Sequence, residues 1–269
     1  MKTEEIKKQL STQEKMTWCP GCSNYNILEA SKQAIASLIQ EGKKQEDFAM
    51  VTGIGCHAKM FDYLNISGIY ELHGRVIPAC IGIKLGNPNL DVIGFAGDGD
   101  TYSEGMAHFI HAFRHNANIT LLVHDNQSFS LTKGQPTPTT QIGYKDKSHP
   151  QGQEEKPLNP IKLALSLGAT FIARCDPTNI EQTAEIIKKA IKHKGFSFVE
   201  VIQKCLIFNK DMNQLNKLMY KISDCHTIER AWKFANQWDY NTSITGKDKI
   251  PIGIIYQNQQ SETLHTYSK

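Results

Sequence analysis

Long hydrophobic runs and a one-sided charge are both missing from the sequence. No stretch approaches the roughly 18 to 20 apolar residues needed to cross a bilayer, and residues 1–18 lack the apolar core of a secretory signal. The 30 Lys and Arg residues almost balance the 27 Asp and Glu residues, and a net charge of +3 does not indicate nucleic-acid binding. We therefore expect a soluble, cytoplasmic protein whose partners include neither a membrane nor a nucleic acid.

The cysteine count does not suit a protein held together by disulfides. The chain has 269 residues, of which 40% are hydrophobic and 21% charged, enough for a large domain with its own core. Its seven cysteines are an odd number, and disulfides are rare in cytosolic proteins. We therefore expect the cysteines to be either core residues or ligands.

Short apolar runs recur along the chain without the polar alternation that marks a half-exposed strand. They are rich in β-branched and aromatic residues, as in strands that are buried on both faces of a parallel sheet. The runs occupy residues 48–54, 91–96, 119–123, 169–173, 196–202 and 250–256.

Helical patterns separate these runs. Residues 27–39 and 102–113 carry apolar side chains at helical spacing, and Asp176 followed by Pro177 predicts the N-cap and first position of another helix. Alternating strands and helices predict a three-layer α/β/α fold with a mainly parallel sheet. Such folds bind ligands at the carboxyl ends of their strands.

Composition divides the chain into three segments. We expect residues 1–16 to form a polar, loosely held N-terminal arm, residues 17–209 to form the functional domain, and residues 210–269 to be a C-terminal extension packed on that domain. Residues 132–160 are rich in Thr, Pro, Gly, Gln and Lys and predict a long loop, which in a compact domain is usually functional or mobile.

The strongest local pattern is GFAGDGDTYSEG at residues 94–105, where a buried strand ends in an aspartate between glycines. Gly97 and Gly99 let the backbone turn sharply, and Asp98 then projects from the strand's carboxyl end. Asn126 follows the next strand, 28 residues later, so one crossover brings both side chains to one mouth of the sheet. A carboxylate and an amide oxygen suit Mg²⁺, which takes its other ligands from phosphate and water. By itself, GDGD is also compatible with a tight surface turn.

A GDG sequence with Asn at this spacing resembles the signature of thiamine-diphosphate enzymes. In that family the Mg²⁺ ligands are the Asp, the Asn and a main-chain carbonyl two residues later. The resemblance carries these roles over to Asp98, Asn126 and Ser128. The cation is needed because a helix N-terminus offers only about half a positive charge, against the several negative charges of a diphosphate.

A C-x-x-C motif occupies residues 18–22, WCPGC. Alone, Cys19 and Cys22 are compatible with a zinc half-site, a redox pair or an iron–sulfur half-site. A tetrahedral or cubane site needs two more ligands, and Cys56 and Cys205 each follow a predicted strand. The spacing leaves open whether the four cysteines meet.

Further motifs in a fixed order make the resemblance more specific. Between residues 17 and 209 the chain contains WCPGC, GIGCHAK, LHGRVIPACIGIKLGNPNL, GDGD, GxxHxxHAxR, DNQSFSLTKGQPTPTT, GATFIAR and KCLIFN. Together they resemble the β subunit of the 2-oxoacid:ferredoxin oxidoreductases, the family of pyruvate and 2-oxoglutarate synthases. The resemblance implies a thiamine-diphosphate-binding fold of the diphosphate type.

The resemblance also implies three cofactors, namely thiamine diphosphate, Mg²⁺ and one [4Fe–4S] cluster. It makes Cys19, Cys22, Cys56 and Cys205 the cluster ligands, and it gives Cys56 and His73 a part in catalysis. The thiamine diphosphate and its Mg²⁺ would be held by Gly55, Cys56, His57, His73, Gly97, Asp98, Gly99, Asn126 and Ser128.

The implied reaction is the coenzyme A-dependent oxidative decarboxylation of a 2-oxoacid, with electrons passed through the cluster to ferredoxin. Thiamine enzymes also need a carboxylate from a pyrimidine-type domain, for which we find no second α/β pattern in the 269 residues. In this family an α subunit supplies that domain. We therefore expect the chain to be inactive without an α subunit.

Three residues depart from the family pattern. His57 stands where Ser is commoner, and it either touches the diphosphate or caps the turn, while Phe129 stands where Tyr is frequent. Lys133 gives LTKGQ where pyruvate-type members read TGGQ. As a catalytic-site residue it would face the second carboxylate of 2-oxoglutarate, which slightly favours that substrate over pyruvate. The alternative is a solvated loop lysine.

Two other functions are compatible with parts of the sequence. A non-redox thiamine-dependent decarboxylase half explains GDGD and Asn126 but leaves the four cysteines without a role. A zinc-stabilised, non-catalytic subunit explains the cysteines, because all-Cys sites also bind zinc, but it leaves the Mg²⁺ pattern unexplained.

Overall fold

The computed structural model describes residues 2–241 and 248–258, which form an α/β structure around an eight-stranded sheet. The strands are β1 (Phe48–Thr52), β2 (Ser67–Tyr70), β3 (Asp91–Gly97), β4 (Thr120–Asp125), β5 (Phe171–Cys175), β6 (Ser197–Ile202), β7 (Met219–Lys221) and β8 (Ile250–Gln257). They lie in the order β2-β1-β3-β4-β6-β5-β8-β7. All neighbours pair in parallel except β5 and β8, which confirms the prediction of a mainly parallel sheet.

Helices cover both faces of the sheet. They are α1 (Thr3–Gln9), α2 (Asn24–Gln40), α3 (Met60–Tyr63), α4 (Val76–Gly86), α5 (Met106–His115), α6 (Pro160–Ser166), α7 (Ile180–Lys192) and α8 (Ile228–Ala235). Leu122 of β4 packs into one core cluster with α1, α2 and α7, whereas its neighbours Leu121 and Val123 pack into another with α4, α5, α6 and α8. Because successive strand residues point to opposite faces, this alternation confirms the three-layer prediction.

Six strands coincide with the predicted apolar runs to within two residues at each end. The other two strands were not predicted. β2 is an exposed edge strand of four residues, and β7 has three. Neither is long or apolar enough to stand out as a run.

Two local predictions were wrong. The N-terminal segment is not loosely held, because it forms α1 and buries Ile6 and Leu10. The N-cap of α7 is Asn179, whose side chain accepts a hydrogen bond from the Gln182 backbone N–H at 3.0 Å. Asp176 instead accepts from the Thr178 backbone N–H, so it forms a turn before the helix.

The C-terminal part joins the sheet through β8, which pairs with β5. A third core cluster combines Ile202 of β6 with Trp238, Tyr240 and Ile250. Residues 242–247 and 259–269 of the predicted extension lie outside the described residues, and the boundaries 17–209 and 210–269 stay a prediction. Within the described ranges, no helix combines the length and the apolar character needed to span a bilayer.

A buried ion pair connects β5 and β6. Arg174 Nε donates to Glu200 Oε2 at 2.6 Å, and neither side chain is more than 1% exposed. Arg174 Nη2 also donates to the Tyr240 hydroxyl at 2.8 Å, and that hydroxyl donates to the Glu200 carboxylate. The guanidinium carbon lies 5.0 Å from the centre of the Trp238 ring. The pair thus anchors the segment after α8 to the sheet.

We expect Glu200→Gln to lower the free energy of unfolding by about 3–5 kcal/mol, because the neutral amide leaves the buried Arg174 charge uncompensated. Urea denaturation followed by circular dichroism measures the loss. Lys189→Gln is the control, since its 2.7 Å pair with Asp224 is about 40% exposed on both sides. Its loss should stay below about 1 kcal/mol. Equal losses for the two variants would contradict a stabilising role for the buried pair.

Candidate cofactor site

The carboxyl ends of β1, β3 and β4 meet at one edge of the sheet. These strands pair in parallel, and Gly97 at the end of β3 lies opposite His124 of β4. Asp98 follows Gly97 directly, and Asn126 is the first residue after β4. Both residues line one pocket, so they meet where the crossover spacing predicted.

Two hydroxyl groups of the long loop hold Asp98. Its Oδ2 accepts hydrogen bonds from Thr137 Oγ1 at 2.5 Å and from Thr139 Oγ1 at 3.0 Å. Burial raises the pKa of Asp98 to about 6, although these two hydrogen bonds act in the opposite direction. A bound cation would favour the ionised carboxylate further.

A chain of polar contacts runs from the end of β4 to a cysteine. Asn126 Oδ1 accepts from the Ser128 backbone N–H at 3.0 Å and lies 3.2 Å from Ser128 Oγ. Ser128 Oγ contacts Ser130 Oγ at 2.7 Å, and Ser130 Oγ donates to Cys205 Sγ at 3.3 Å. The predicted Mg²⁺ site and the predicted cluster site are therefore directly connected.

The cofactor pocket is the cleft at this edge of the sheet. It contains every residue that the family resemblance places around the thiamine diphosphate: Gly55, Cys56, His57, His73, Gly97, Asp98, Gly99, Asn126 and Ser128. The other lining residues are Ile54, Asp100, His124, Phe129, Ser130, Leu131 and Thr132. One pocket thus collects residues from loops that are far apart in the sequence.

An unpaired ring nitrogen and crowded glycines line the cofactor pocket. His124 Nε2 is buried and makes no hydrogen bond to any described residue, whereas His57 Nε2 and His73 Nδ1 lie 3.2 Å from Asp100 and 2.9 Å from Glu104 without regular hydrogen-bond geometry. Because buried polar atoms normally have partners, the His124 nitrogen suits a polar group of a bound molecule. A Cβ on Gly99 would lie 2.2 Å from the Phe129 ring, so this turn accepts only glycine without rearrangement. The pocket therefore fits a polar group held close to the backbone, such as a diphosphate.

Several polar residues of the site were not predicted, among them Asp100, Thr137 and Thr139. Asp100 lines the pocket as the second aspartate of GDGD, and its side chain is 1% exposed. Thr137 and Thr139 come from the long loop, where the dense Thr and Pro residues of QPTPTT were the available signal. Loop composition does not reveal which hydroxyl groups reach a carboxylate.

The four predicted cluster cysteines come from three segments that meet beside the pocket. Trp18 Nε1 donates to the Cys56 carbonyl oxygen at 2.7 Å, which attaches the C-x-x-C segment to the loop after β1. The Lys204 backbone N–H donates to Ser23 Oγ at 3.2 Å, which attaches the same segment to the loop after β6. We refer to Cys19, Cys22, Cys56 and Cys205 as the four-cysteine corner.

The thiols of this corner are close enough to affect one another electrostatically. Burial, with smaller contributions from the nearby Cys22, Cys205 and Cys19, raises the pKa of Cys56 to about 11. Burial also raises the pKa of Cys22, again with a contribution from Cys19 and Cys205. Electrostatic contributions of one thiol to the pKa of another require that the sulfur atoms lie close together. Cys56 also lines the cofactor pocket, so it is shared by the two sites.

Cys205 differs from Cys22 and Cys56 because its pKa is lowered and theirs are raised. Burial alone would raise the pKa of its thiol, but hydrogen bonds from Ser130 and from backbone N–H groups, including that of Phe208, hold the pKa below its ordinary value. Gln203 Nε2 also donates to Cys22 Sγ at 3.7 Å. Hydrogen bonds to thiolates tune iron–sulfur centres, and a set of four thiols fits either iron–sulfur or zinc.

The side chains of the corner differ in exposure and do not surround a common point. Among the described residues, no group of three or more His, Cys, Asp or Glu side chains surrounds a possible metal position. Cys19 is exposed, whereas Cys205 is buried. Cys80, Cys175 and Cys225 are buried in the hydrophobic clusters, as expected for core cysteines.

Lys133 lies just beyond the cofactor pocket. Leu131 and Thr132 line the pocket, and Lys133 follows them as an exposed residue with a left-handed φ of 82°. An L-amino acid in this conformation is strained, and glycine adopts it easily. The structure therefore places the Lys133 side chain near the rim and not among the lining residues.

Comparisons with known proteins point to one family. Residues 53–201 match the thiamine pyrophosphate enzymes at their C-terminal TPP-binding domain. The chain is 41% identical over 256 residues to the 2-oxoacid:ferredoxin oxidoreductase subunit beta of Saccharolobus solfataricus, covering 91% of this chain and 83% of the relative. It is 38% identical over 188 residues to the 2-oxoglutarate synthase subunit KorB of Archaeoglobus fulgidus, covering 70% and 69%.

A solved structure agrees with these relatives. It is the 2-oxoglutarate:ferredoxin oxidoreductase from Magnetococcus marinus with 2-oxoglutarate, coenzyme A and succinyl-CoA bound. It superposes with a TM-score of 0.88 at 32% identity and covers 96% of this chain and 86% of its own. The chain therefore belongs to the 2-oxoacid:ferredoxin oxidoreductase family as a β subunit with a thiamine-diphosphate-binding domain.

Proposed function

We propose that this chain binds thiamine diphosphate, Mg²⁺ and one [4Fe–4S] cluster in a complex that oxidatively decarboxylates a 2-oxoacid. Coenzyme A accepts the acyl group, and ferredoxin accepts the electrons. The observation that carries the proposal is that Cys56 belongs to both the cofactor pocket and the four-cysteine corner. An electron acceptor at the corner would therefore lie directly beside the reacting cofactor.

Different residues of the pocket would bind the Mg²⁺ and the diphosphate of the cofactor. Asp98, Asn126 and the Ser128 carbonyl would hold Mg²⁺, because oxygen ligands are the ones that this cation prefers. Thr137 and Thr139 orient the Asp98 carboxylate through Oδ2. Gly97, Gly99 and Gly55 would let the backbone approach the diphosphate, and His57 and His73 would offer ring nitrogens to it. The cofactor itself supplies the electron sink for decarboxylation.

The four-cysteine corner would hold the cluster. Metal binding requires thiolates, and the raised pKa values of Cys56 and Cys22 mean that their protons are released as iron binds. Cys205 gives up its proton most readily of these three, because hydrogen bonds stabilise its thiolate. The exposed Cys19 marks the side from which an acceptor protein could approach.

The substrate proposal rests on Lys133. Its ammonium would pair with the second carboxylate of 2-oxoglutarate, which pyruvate lacks. A relative solved with 2-oxoglutarate and succinyl-CoA bound supports this preference and the use of coenzyme A. As a β subunit, the chain works with an α subunit. In our proposal that subunit provides the carboxylate that activates the aminopyrimidine.

We expect Cys22→Ser to remove the cluster and to leave thiamine diphosphate binding intact, because Cys22 does not line the cofactor pocket. Iron, sulfide and thiamine diphosphate are measured in the anaerobically purified complex, together with its visible absorption. Cys225→Ser is the matched control, because Cys225 is a buried cysteine of a hydrophobic cluster and not of the four-cysteine corner. The iron content of this variant should stay unchanged. Zinc in place of iron in the wild-type complex would support the non-catalytic alternative. Bound thiamine diphosphate without iron would support the alternative of a non-redox thiamine-dependent decarboxylase half.

The isolated chain should not turn over a 2-oxoacid, because it lacks the α-subunit carboxylate. The measurement is reduction of a viologen dye with 2-oxoglutarate and coenzyme A, before and after addition of the α subunit. Activity should appear only after the addition. Turnover by the isolated, cluster-loaded chain would contradict the division of the site between two subunits.

Lys133→Gly should raise the KM for 2-oxoglutarate about tenfold or more and leave pyruvate kinetics nearly unchanged, because one charge-assisted contact is lost. Glycine also suits the backbone, since φ is 82° at this position. Lys133→Arg keeps the charge and should retain most of the preference. Equal losses for the two substrates would show that Lys133 is a loop residue without a role in selectivity.

A further inference from the structure

A single buried carboxylate, that of Asp100 in the loop after β3, contacts the loops after β1 and β2 at the cofactor pocket. We propose that Asp100 is the positioning residue that holds the loops after β1, β2 and β3 in their binding arrangement. This inference rests on the proposed binding of thiamine diphosphate in the pocket. It concerns a residue that lies next to the diphosphate-binding groups and is not itself one of the expected Mg²⁺ ligands.

The contacts of Asp100 reach two other loops. Its Oδ1 accepts a hydrogen bond from the Gly74 backbone N–H at 2.5 Å and lies 3.6 Å from His73 Nδ1. Its Oδ2 lies 3.2 Å from His57 Nε2. His57 belongs to the loop after β1, and His73 and Gly74 belong to the loop after β2. One side chain therefore contacts two of the three histidines of the pocket, His57 and His73.

The loop after β1 is shaped around this carboxylate. A Cβ on Gly53 would lie 1.9 Å from Asp100 Oδ2, so no larger residue fits while Asp100 keeps its position. A Cβ on Gly74 would lie 2.7 Å from the Glu104 backbone, so the loop after β2 also packs closely against the turn that begins at Asp100. Glycine at both positions is required by these close approaches.

The local backbone at Asp100 is unusual in a way that fits a functional position. Residues Asp100–Glu104 form a π-helical turn between β3 and α5. Such turns are rare and occur often at functional sites. Asp100 Oδ2 is also buried, and its 3.2 Å contact with His57 Nε2 does not have the geometry of a regular hydrogen bond. A buried carboxylate oxygen that is compensated so weakly costs stability, so its retention points to a role other than stabilising the fold.

Glu104 shows why Asp100 is the central residue of this arrangement. Its Oε2 lies 2.9 Å from His73 Nδ1, so it shares one of the two histidines. However, its side chain is 50% exposed, whereas that of Asp100 is 1% exposed. Water screens the exposed carboxylate, so its influence on the ring is weaker than that of the buried one.

The test is the affinity of the αβ complex for thiamine diphosphate at fixed Mg²⁺, measured by isothermal titration calorimetry after removal of bound cofactor. Asp100→Ala should raise the dissociation constant about tenfold to a hundredfold, because two histidines lose the group that orients them. Asp100→Asn keeps the size and the acceptor for Gly74 but loses the charge, so its effect should be intermediate. Excess thiamine diphosphate should restore turnover, and the KM for the 2-oxoacid should not change.

Thr101→Val is the matched control. Thr101 is the next residue on the same turn, it is buried, and its hydroxyl makes no hydrogen bond to a described residue. The variant should bind thiamine diphosphate within about threefold of the wild type. An unchanged dissociation constant in both Asp100 variants, or an equal loss in Thr101→Val, would overturn the inference. If Asp100→Ala does not assemble, Asp100→Asn decides alone. Failure of the wild-type complex to bind thiamine diphosphate would instead contradict the proposed function.

Discussion

The parallel pairing of β1, β3, β4 and β6 is the constraint on which the site depends. Parallel strands bring their carboxyl ends to one edge of a sheet, and here Gly97 lies opposite His124 while Asp125 lies opposite Ile202. The loops that follow these strands therefore share one space, and they supply the pocket and Cys205. A slip of one residue between β3 and β4 would reverse the faces of a whole strand and separate Asp98 from Asn126.

Strand ends were predictable because topology, not loop detail, sets their position. Buried parallel strands appear in the sequence as apolar runs, and the residues directly after such runs must lie at the ligand-binding edge. This reasoning places Asp98 and Asn126, and the family motifs add Gly55 and His73. The C-x-x-C motif likewise marks Cys19 and Cys22 as a pair, but only the structure shows the hydrogen bonds that attach their segment to Cys56 and to the loop after β6.

Other features depend on contacts between distant segments and leave little trace in the local sequence. The helix α1 forms although it buries little more than Ile6, because α2 offers it a surface. The sequence predicts Asp176 as the N-cap of α7, but its side chain accepts a hydrogen bond from the nearby Thr178 backbone N–H in a turn. Asn179 is the N-cap instead. The partners of Asp100 lie on loops more than 25 residues away in the chain, so its role cannot be read from GDGD alone.

The polar chain from Asn126 to Cys205 has fewer protons than contacts. Three contacts join Asn126, Ser128, Ser130 and the sulfur, but the two serine hydroxyl groups carry one proton each. If Ser128 donates to Asn126, it cannot also donate to Ser130. A cation on the Asn126 oxygen would replace that donation and allow Ser128 to turn its proton toward Ser130, which strengthens the bond from Ser130 to a Cys205 thiolate. The direction of the Ser128 hydroxyl group would then report the occupancy of one cofactor site to the other.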